Sequence, residues 1–261
     1  MHLTHLYKPL MAHLGSALPA TWTPSTWDDW REIQPGKTLI LKPRFGGASK
    51  RRPTRGKLWR CSPEFDPAVV AHAIGLEPNE VVVQEVVPGP DHAIEVCFLY
   101  RRQDGAFGSL MTGRKLRQRP RGFGSASYLV TTQAVELAAL ARRTVEALGL
   151  FGLVSLEWKW NGEAWALIEI NCRAPLYGAV APDVILDAYH ERAGLAPRAP
   201  RVTPPGTSWV YRAREPGLWA TSDAIDALHT PDDPWPGRLG LPYTMTLALM
   251  KRLGRRHRVI P

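Results

Sequence analysis

This 261-residue chain reads as an α+β protein, and three features say so. Runs rich in Val, Ile, Leu and aromatic residues recur at strand length, separated by turns marked with Gly, Pro and Asn. Residues 133–148, QAVELAALARRTVEAL, place Val135, Ala138, Leu140, Ala141, Val145 and Leu148 in one broad apolar stripe that stops at Gly149. Residues 152–173, GLVSLEWKWNGEAWALIEINCR, read as a β-hairpin turning at Asn161-Gly162.

Composition sets the outer limits. At 44% hydrophobic, the chain has enough apolar material for one large domain or two small ones. No apolar run approaches the ~20 residues that span a bilayer. The opening MHLTHLYKPLMAHLG lacks the long apolar core and small-residue cleavage site of a signal peptide. Cys61, Cys97 and Cys172 are odd in number and widely spaced, which suggests free thiols in a reducing cytoplasm. The net charge of +9 suits nucleic acid or an anionic nucleotide equally well.

Residues 5–17 read as a short helix opened by Lys8, and Ser25 or Thr26 as the cap of a second through Trp27, Trp30 and Ile33. Pro35-Gly36-Lys37-Thr38 imitates the end of a phosphate-binding P-loop, but the upstream glycine is absent and a strand follows where a helix is required. That strand, TLILKP, puts Thr38, Ile40 and Lys42 on one face and Leu39 and Leu41 on the other. A lysine ending an apolar strand loses solvation and needs an anion. The next stretch, PRFGGASKRRPTRG, is a basic loop in which Gly46 and Gly47 allow close backbone approach to a ligand; taken alone it reads first as a plain glycine hairpin with a solvated basic tip, since glycine-rich turns are far commoner than phosphate loops.

Asp66-Pro67 starts a helix that ends at Gly75. EVVVQEVVPGPDHAIEVCFLYR reads as two strands broken at Pro88-Gly89-Pro90, with Glu85, Asp91 and Glu95 as acids in apolar surroundings. Residues 106–132 read as two strands around a basic loop holding Arg114, Lys115, Arg117, Arg119 and Arg121, either a closure over an anion or a solvated tip. A helix follows from Pro182 to about Arg192, then a Pro-rich linker at 197–207 and a tail of short pieces.

The hairpin carries the chemistry. Side chains alternate along a strand, so a two-residue loop sets Glu157 and Glu169 on opposite faces. A three-residue loop, Asn161 to Glu163, sets them on one face with Ser155, Lys159 and Asn171, and collects Val154, Leu156, Trp158, Ala166, Ile168 and Ile170 on the other. Because register follows the buried face, the three-residue loop is expected. Two neighbouring carboxylates repel, and a divalent cation removes the conflict. Two Glu and one Asn carbonyl oxygen suit magnesium better than zinc. An amphipathic hairpin with ordinary solvated acids is the bland alternative.

The order of strand-Lys and glycine loop, strand-Glu with Gly-x-Asp, basic loop, helix, and Glu…Glu-x-Asn-x-Arg hairpin resembles the ATP-grasp superfamily over about residues 8–195, near carbamoyl phosphate synthetase and the D-amino-acid ligases. The resemblance implies an ATP-grasp fold, two subdomains with antiparallel sheets gripping ATP, with the further N-terminal domain of relatives largely absent. It divides the chain into a helical segment at 1–36, a small subdomain at 37–89, a large subdomain at 90–196, and linker and tail at 197–261. It implies ATP phosphate binding by Lys42, with Lys8 as a second ATP lysine and Gly46 and Gly47 in the covering loop. Glu85 and Val87 match the adenine hinge, and Asp91 the ribose-binding acid. Glu157, Glu169 and Asn171 match the Mg2+ (or Mn2+) ligands, and Arg173 the arginine that steadies the transferred phosphate. Arg114 and Arg117 sit where relatives bind phosphate or the acceptor carboxylate. Cys172 stands where the motif has Pro. The implied activity is a cytoplasmic, ADP-forming carboxylate–amine ligase acting on small molecules, with no membrane or nucleic-acid partner and with room for a homo-oligomer or a partner chain that completes the site. An ATP-grasp phosphotransferase or an inactive ATP-binding protein is the alternative, and a nucleic-acid-binding module ranks last.

Overall fold

A computed structural model of the chain describes residues 7–14, 18–33, 36–44, 58–215, 218 and 223–228. The element order is α1 (Tyr7–Leu14), β1 (Thr21–Trp22), β2 (Leu39–Pro43), β3 (Trp59–Cys61), α2 (Pro67–Ala73), β4 (Val81–Glu85), β5 (Ile94–Arg101), β6 (Phe107–Arg119), β7 (Ser125–Thr132), α3 (Val135–Ala147), β8 (Gly152–Trp160), β9 (Trp165–Asn171), α4 (Pro182–Arg192), β10 (Ser208–Val210) and β11 (Ile225–Asp226). The strands form two sheets: a four-stranded one ordered β1-β4-β2-β3 and a seven-stranded one ordered β11-β10-β7-β6-β5-β8-β9. The pairings between these strands are antiparallel except that of β10 with β11.

The small sheet is covered on one face. Leu39, Leu41, Val81 and Val83 pack with Trp30, Ile33, Ala71 and Leu76. The helix α2 starts where Asp66 accepts from the Ala68 N–H at 2.8 Å with Pro67 as its first residue, a cap that the Asp-Pro dipeptide dictates. The other face carries Ile40, Lys42, Val82 and Gln84, since direct partners across a ladder share a face.

The large sheet is covered on both faces, which explains why every residue of β5 is buried. On one side Cys97, Leu99, Leu156, Trp158 and Leu167 meet α1 and α3 through Leu10, Leu137, Ala141 and Val145. On the other, Val96, Phe98, Met111 and Leu129 meet Tyr177, Val184, Trp209 and Tyr211. Residues 208–210, within the stretch expected to be linker and tail, instead form a strand paired with β7. Alternating Trp209 and Tyr211 bury there because the β7 edge offers both unpaired backbone groups and an apolar face.

The hairpin differs in detail from its expected form. Its turn spans residues 161–164, closed by the Asn161 N–H to the Ala164 carbonyl at 3.2 Å. The Asn161 side chain accepts from the N–H groups of Glu163 and Ala164, both at 2.8 Å, and Gly162 has φ +108°. An even-numbered turn alone would separate Glu157 from Glu169. A bulge at Ile168 restores the parity, so Trp158 faces Leu167 while Glu157 faces Glu169 and Ser155 faces Asn171. Hence Leu167, not Ala166 or Ile168, joins the Trp158 face. Among the described residues no helix is long and apolar enough to cross a membrane.

Candidate functional site

The two sheets meet at Lys42. From the open face of β2 its Nζ donates to Gln84 Oε1 at 2.8 Å and reaches the Ile168 carbonyl of the hairpin at 3.5 Å. The bulge that restores the carboxylate register therefore also turns a carbonyl toward this lysine. Burial lowers the Lys42 pKa, and the charges of Glu169 and Glu157 offset only part of that drop.

Glu157 is buried and Glu169 exposed, directly opposite on adjacent strands. Burial drives the Glu157 pKa up, Lys115 pulls it down, Glu169 pushes it up again, and the net direction is upward. Lys115, 1% exposed, donates from Nζ to Glu157 Oε2 at 2.5 Å. The Asn171 amide donates to Glu169 Oε1 at 3.1 Å. Behind them the Tyr177 hydroxyl lies 2.8 Å from Ser155 Oγ, its pKa well above the ordinary value through burial and the Glu157 charge.

Glu157, Glu169 and Asn171 present hard oxygen donors on one face, and the Glu157 pKa is raised first by burial and further by the Glu169 charge, both of which a bound dication would offset. Among the described residues no group of three or more His, Cys, Asp or Glu side chains could hold a metal, so this set needs Asn171 and ligand or water oxygens to complete a shell. That donor set fits Mg2+, which keeps several water or phosphate ligands, and does not fit zinc.

Other expected residues stand elsewhere. Arg114 does not join the carboxylates: it pairs with Glu95 across the ladder, at 2.7 and 3.0 Å, on the face of Trp158 opposite to Glu157. Strand alternation sends Lys115, its neighbour, to the Glu157 face instead. Arg117 donates to Glu215 at 3.3 Å, and Arg119 grips the same carboxylate at 2.8 and 2.9 Å. Asp91 accepts from Gln118 Nε2 at 2.6 Å and from the Gly122 N–H. Glu85 pairs with Lys37 at 3.0 Å, and Val87, two residues on, is buried. Gly89 brings this connection against the hairpin, since a Cβ there would lie 3.1 Å from the Trp160 carbonyl and its φ is +108°. Exposed Arg173 donates to the Ala174 carbonyl at 3.1 Å. Gly46, Gly47 and the Lys8 side chain lie outside the described residues. The sequence places Lys115 only within the basic loop, not beside Glu157, and gives Glu215 no role; the alternation of Arg114 and Lys115 is a usable signal for the first, and nothing local marks the second.

No protein-family model and no curated protein matches the chain. Solved structures do match. The N5-carboxyaminoimidazole ribonucleotide synthetase of Thermus thermophilus aligns at 20% identity and TM-score 0.55, over 77% of this chain and 54% of its own. The biotin carboxylase domain of the Hydrogenobacter thermophilus 2-oxoglutarate carboxylase, solved with MgADP, ADP and bicarbonate, aligns at 14% and 0.53, over 75% and 46%. The phosphoribosylamine–glycine ligase of Thermotoga maritima aligns at 12% and 0.53, over 78% and 56%. The chain thus spans about half the length of these enzymes. The two-sheet α+β architecture, matched to these solved structures over about three quarters of the chain, is the ATP-grasp fold.

Proposed function

We propose that the chain catalyses ATP-dependent ligation of a carboxylate to an amine, with release of ADP. The observation that carries this reading is the convergence of Lys42 from one sheet with Glu157, Glu169 and Lys115 from the other. Two lysines and two carboxylates form a locally balanced cluster that accepts a polyphosphate together with its dication. Glu157, Glu169 and Asn171 would hold Mg2+, which when bound neutralises phosphate charge as the γ-phosphoryl moves.

A carboxylate resists amines because its oxygen is a poor leaving group. In the proposed reaction the substrate carboxylate oxygen attacks the γ-phosphorus, the bond to the β-phosphate oxygen breaks, and ADP leaves. The resulting acyl phosphate is attacked by the amine nitrogen, phosphate departs with the C–O bond electrons, and the nitrogen loses its proton. No side-chain nucleophile is needed, and the chain's part is positioning and electrostatics. Lys42 and Arg173 are proposed to hold the phosphates, and Lys115, buried against Glu157, to supply fixed positive charge where the phosphoryl group transfers. Glu85 and Val87 are assigned the adenine hinge. The substrate class follows the three matched enzyme types only in kind: small molecules with a carboxylate or an amine.

The test is an ADP-release screen of small acids and amines with Mg-ATP, followed by product analysis. Ligation gives ADP, phosphate and an amide; a stable phosphorylated product and no amide would make the chain a phosphotransferase. Glu169→Ala and Asn171→Ala are each expected to lower turnover by ~10²-fold or more, the range for removing one electrostatic group from such a site. Variants at near wild-type rate would remove these residues from the mechanism.

A further inference from the structure

Lys159 is a cation without a counterpart. It lies on β8, two residues after Glu157, and β8 pairs with β5 without a break from Gly152 to Lys159, so Ser155, Glu157 and Lys159 share one face. The residue is only 8% exposed, and among the described residues its ammonium has neither a hydrogen-bond partner nor an ion pair. The carboxylate whose charge acts on it, that of Asp91, is held elsewhere, by Gln118 Nε2 at 2.6 Å and the Gly122 N–H at 3.1 Å.

The two ordinary roles of a lysine do not describe it. A surface lysine buries its stem and keeps its head in water, which needs more exposure than this. A core lysine is neutralised by an acid in contact, as Lys115 is by Glu157 at 2.5 Å. A buried ammonium with no acceptor destabilises the fold. Such a violation of packing rules is expected where a ligand supplies the missing acceptor.

Position says which part of a ligand would do so. Glu157 marks the metal and phosphate end of the face, and Lys159 lies ~7 Å further along the strand, toward the hairpin turn. There the connection from β4 to β5 crosses it: a Cβ on Gly89 would stand 3.7 Å from Lys159 Cε and 3.1 Å from the Trp160 carbonyl. The same connection carries Val87, assigned above to the adenine hinge. A nucleotide with its base at Val87 and its terminal phosphates at Lys42, Glu157 and Glu169 passes Lys159 with its middle part, the ribose and α-phosphate.

We propose that Lys159 is a nucleotide-contacting residue whose ammonium donates to an oxygen of the ribose or of the α-phosphate. That the ligand is a nucleotide rests on the reading given under the proposed function. The role separates stability from binding. A lysine kept for the fold stabilises it, whereas a lysine kept for a ligand is a burden until the ligand arrives.

The experiment measures thermal unfolding and calorimetric Mg-ADP binding of the full chain, in wild type, Lys159→Met and Lys159→Gln. Met keeps the stem without the charge, and Gln keeps a neutral donor. The expected result is a Tm at or above wild type in Lys159→Met, with Mg-ADP bound at least about tenfold more weakly, the worth of one hydrogen bond to a charged group. Lys159→Gln should fall between the two in affinity. Titration of 2′-deoxy-ADP and 3′-deoxy-ADP then names the acceptor. If wild type discriminates against one of them and Lys159→Met does not, the acceptor is that hydroxyl; if the loss in Lys159→Met is the same for all three nucleotides, it is the α-phosphate. A smaller loss of Mg-ADP affinity in Lys159→Met, or a Tm below wild type in both variants, would overturn the proposal alone. Wild type that does not bind Mg-ADP would overturn the nucleotide reading and this role with it, while binding without amide formation would count against the ligase reaction and leave Lys159 in place.

Discussion

Lys115 and Glu157 form a buried ion pair at 2.5 Å in which each charge depends on the other. Removing one partner strands the second, at a typical cost of ~3–5 kcal/mol, whereas replacing both is close to neutral. Lys115→Met should therefore lower Tm sharply, and adding Glu157→Gln should recover most of the loss; a double-mutant cycle by thermal unfolding measures the coupling. The same pair sets a pH dependence. Burial, opposed by Lys115 and reinforced by Glu169, raises the Glu157 pKa above its ordinary 4.5. Just above pH 4.5 the folded chain thus holds a proton that the unfolded chain has lost, and the contribution of Glu157 to stability falls as pH rises through that window. Mg2+ competes with that proton. We expect Mg2+ to raise Tm more at pH 8 than at pH 5, and Glu157→Gln to abolish the difference. Equal shifts at both pH values would show that the ion binds elsewhere.

The hairpin shows what alternation in a sequence reveals and what it conceals. The shared face of Glu157 and Glu169 is legible, because only an odd offset buries Trp158 and leaves both acids together. Where the odd residue sits is not legible. One more residue in the turn and one bulge in the strand give the same parity, and the structure uses the bulge, at Ile168. The basic stretch after Thr112 reads as a loop in the sequence, but β6 continues to Arg119, so Arg114 and Lys115 fall on opposite faces. Treating the stretch as strand separates them. The turn itself depends on Gly162 at φ +108°, a region where a Cβ is strained. Gly162→Ala should destabilise the chain by ~1–2 kcal/mol, read as a lower denaturation midpoint at unchanged m-value. A midpoint equal to wild type would mean that the turn relaxes freely.

Across the molecule, function and stability depend on contacts between segments far apart in sequence. Lys42 reaches Ile168, and Arg117 and Arg119 reach Glu215. Motif order predicts the first meeting, because a chain that places a strand-end lysine and an acidic hairpin in the ATP-grasp order has few ways to arrange them. Nothing local predicts the second, since a single glutamate far from its partners has no pattern. It makes the region after α4 part of the large sheet's support: burial alone raises the Glu215 pKa, but the hydrogen bonds from Arg119, Ser127 and Arg117 outweigh it and hold the carboxylate below its ordinary value. The proposal joining both sheets is that Lys42 and the hairpin carboxylates bind one magnesium–nucleotide between them. Calorimetric titration of ADP, with and without Mg2+, into wild type, Lys42→Ala and Glu169→Ala tests it. The expected result is ADP affinity strengthened by Mg2+ in wild type, weakened at least tenfold by Lys42→Ala, and no longer responsive to Mg2+ in Glu169→Ala. Wild-type affinity and Mg2+ response in both variants would contradict it.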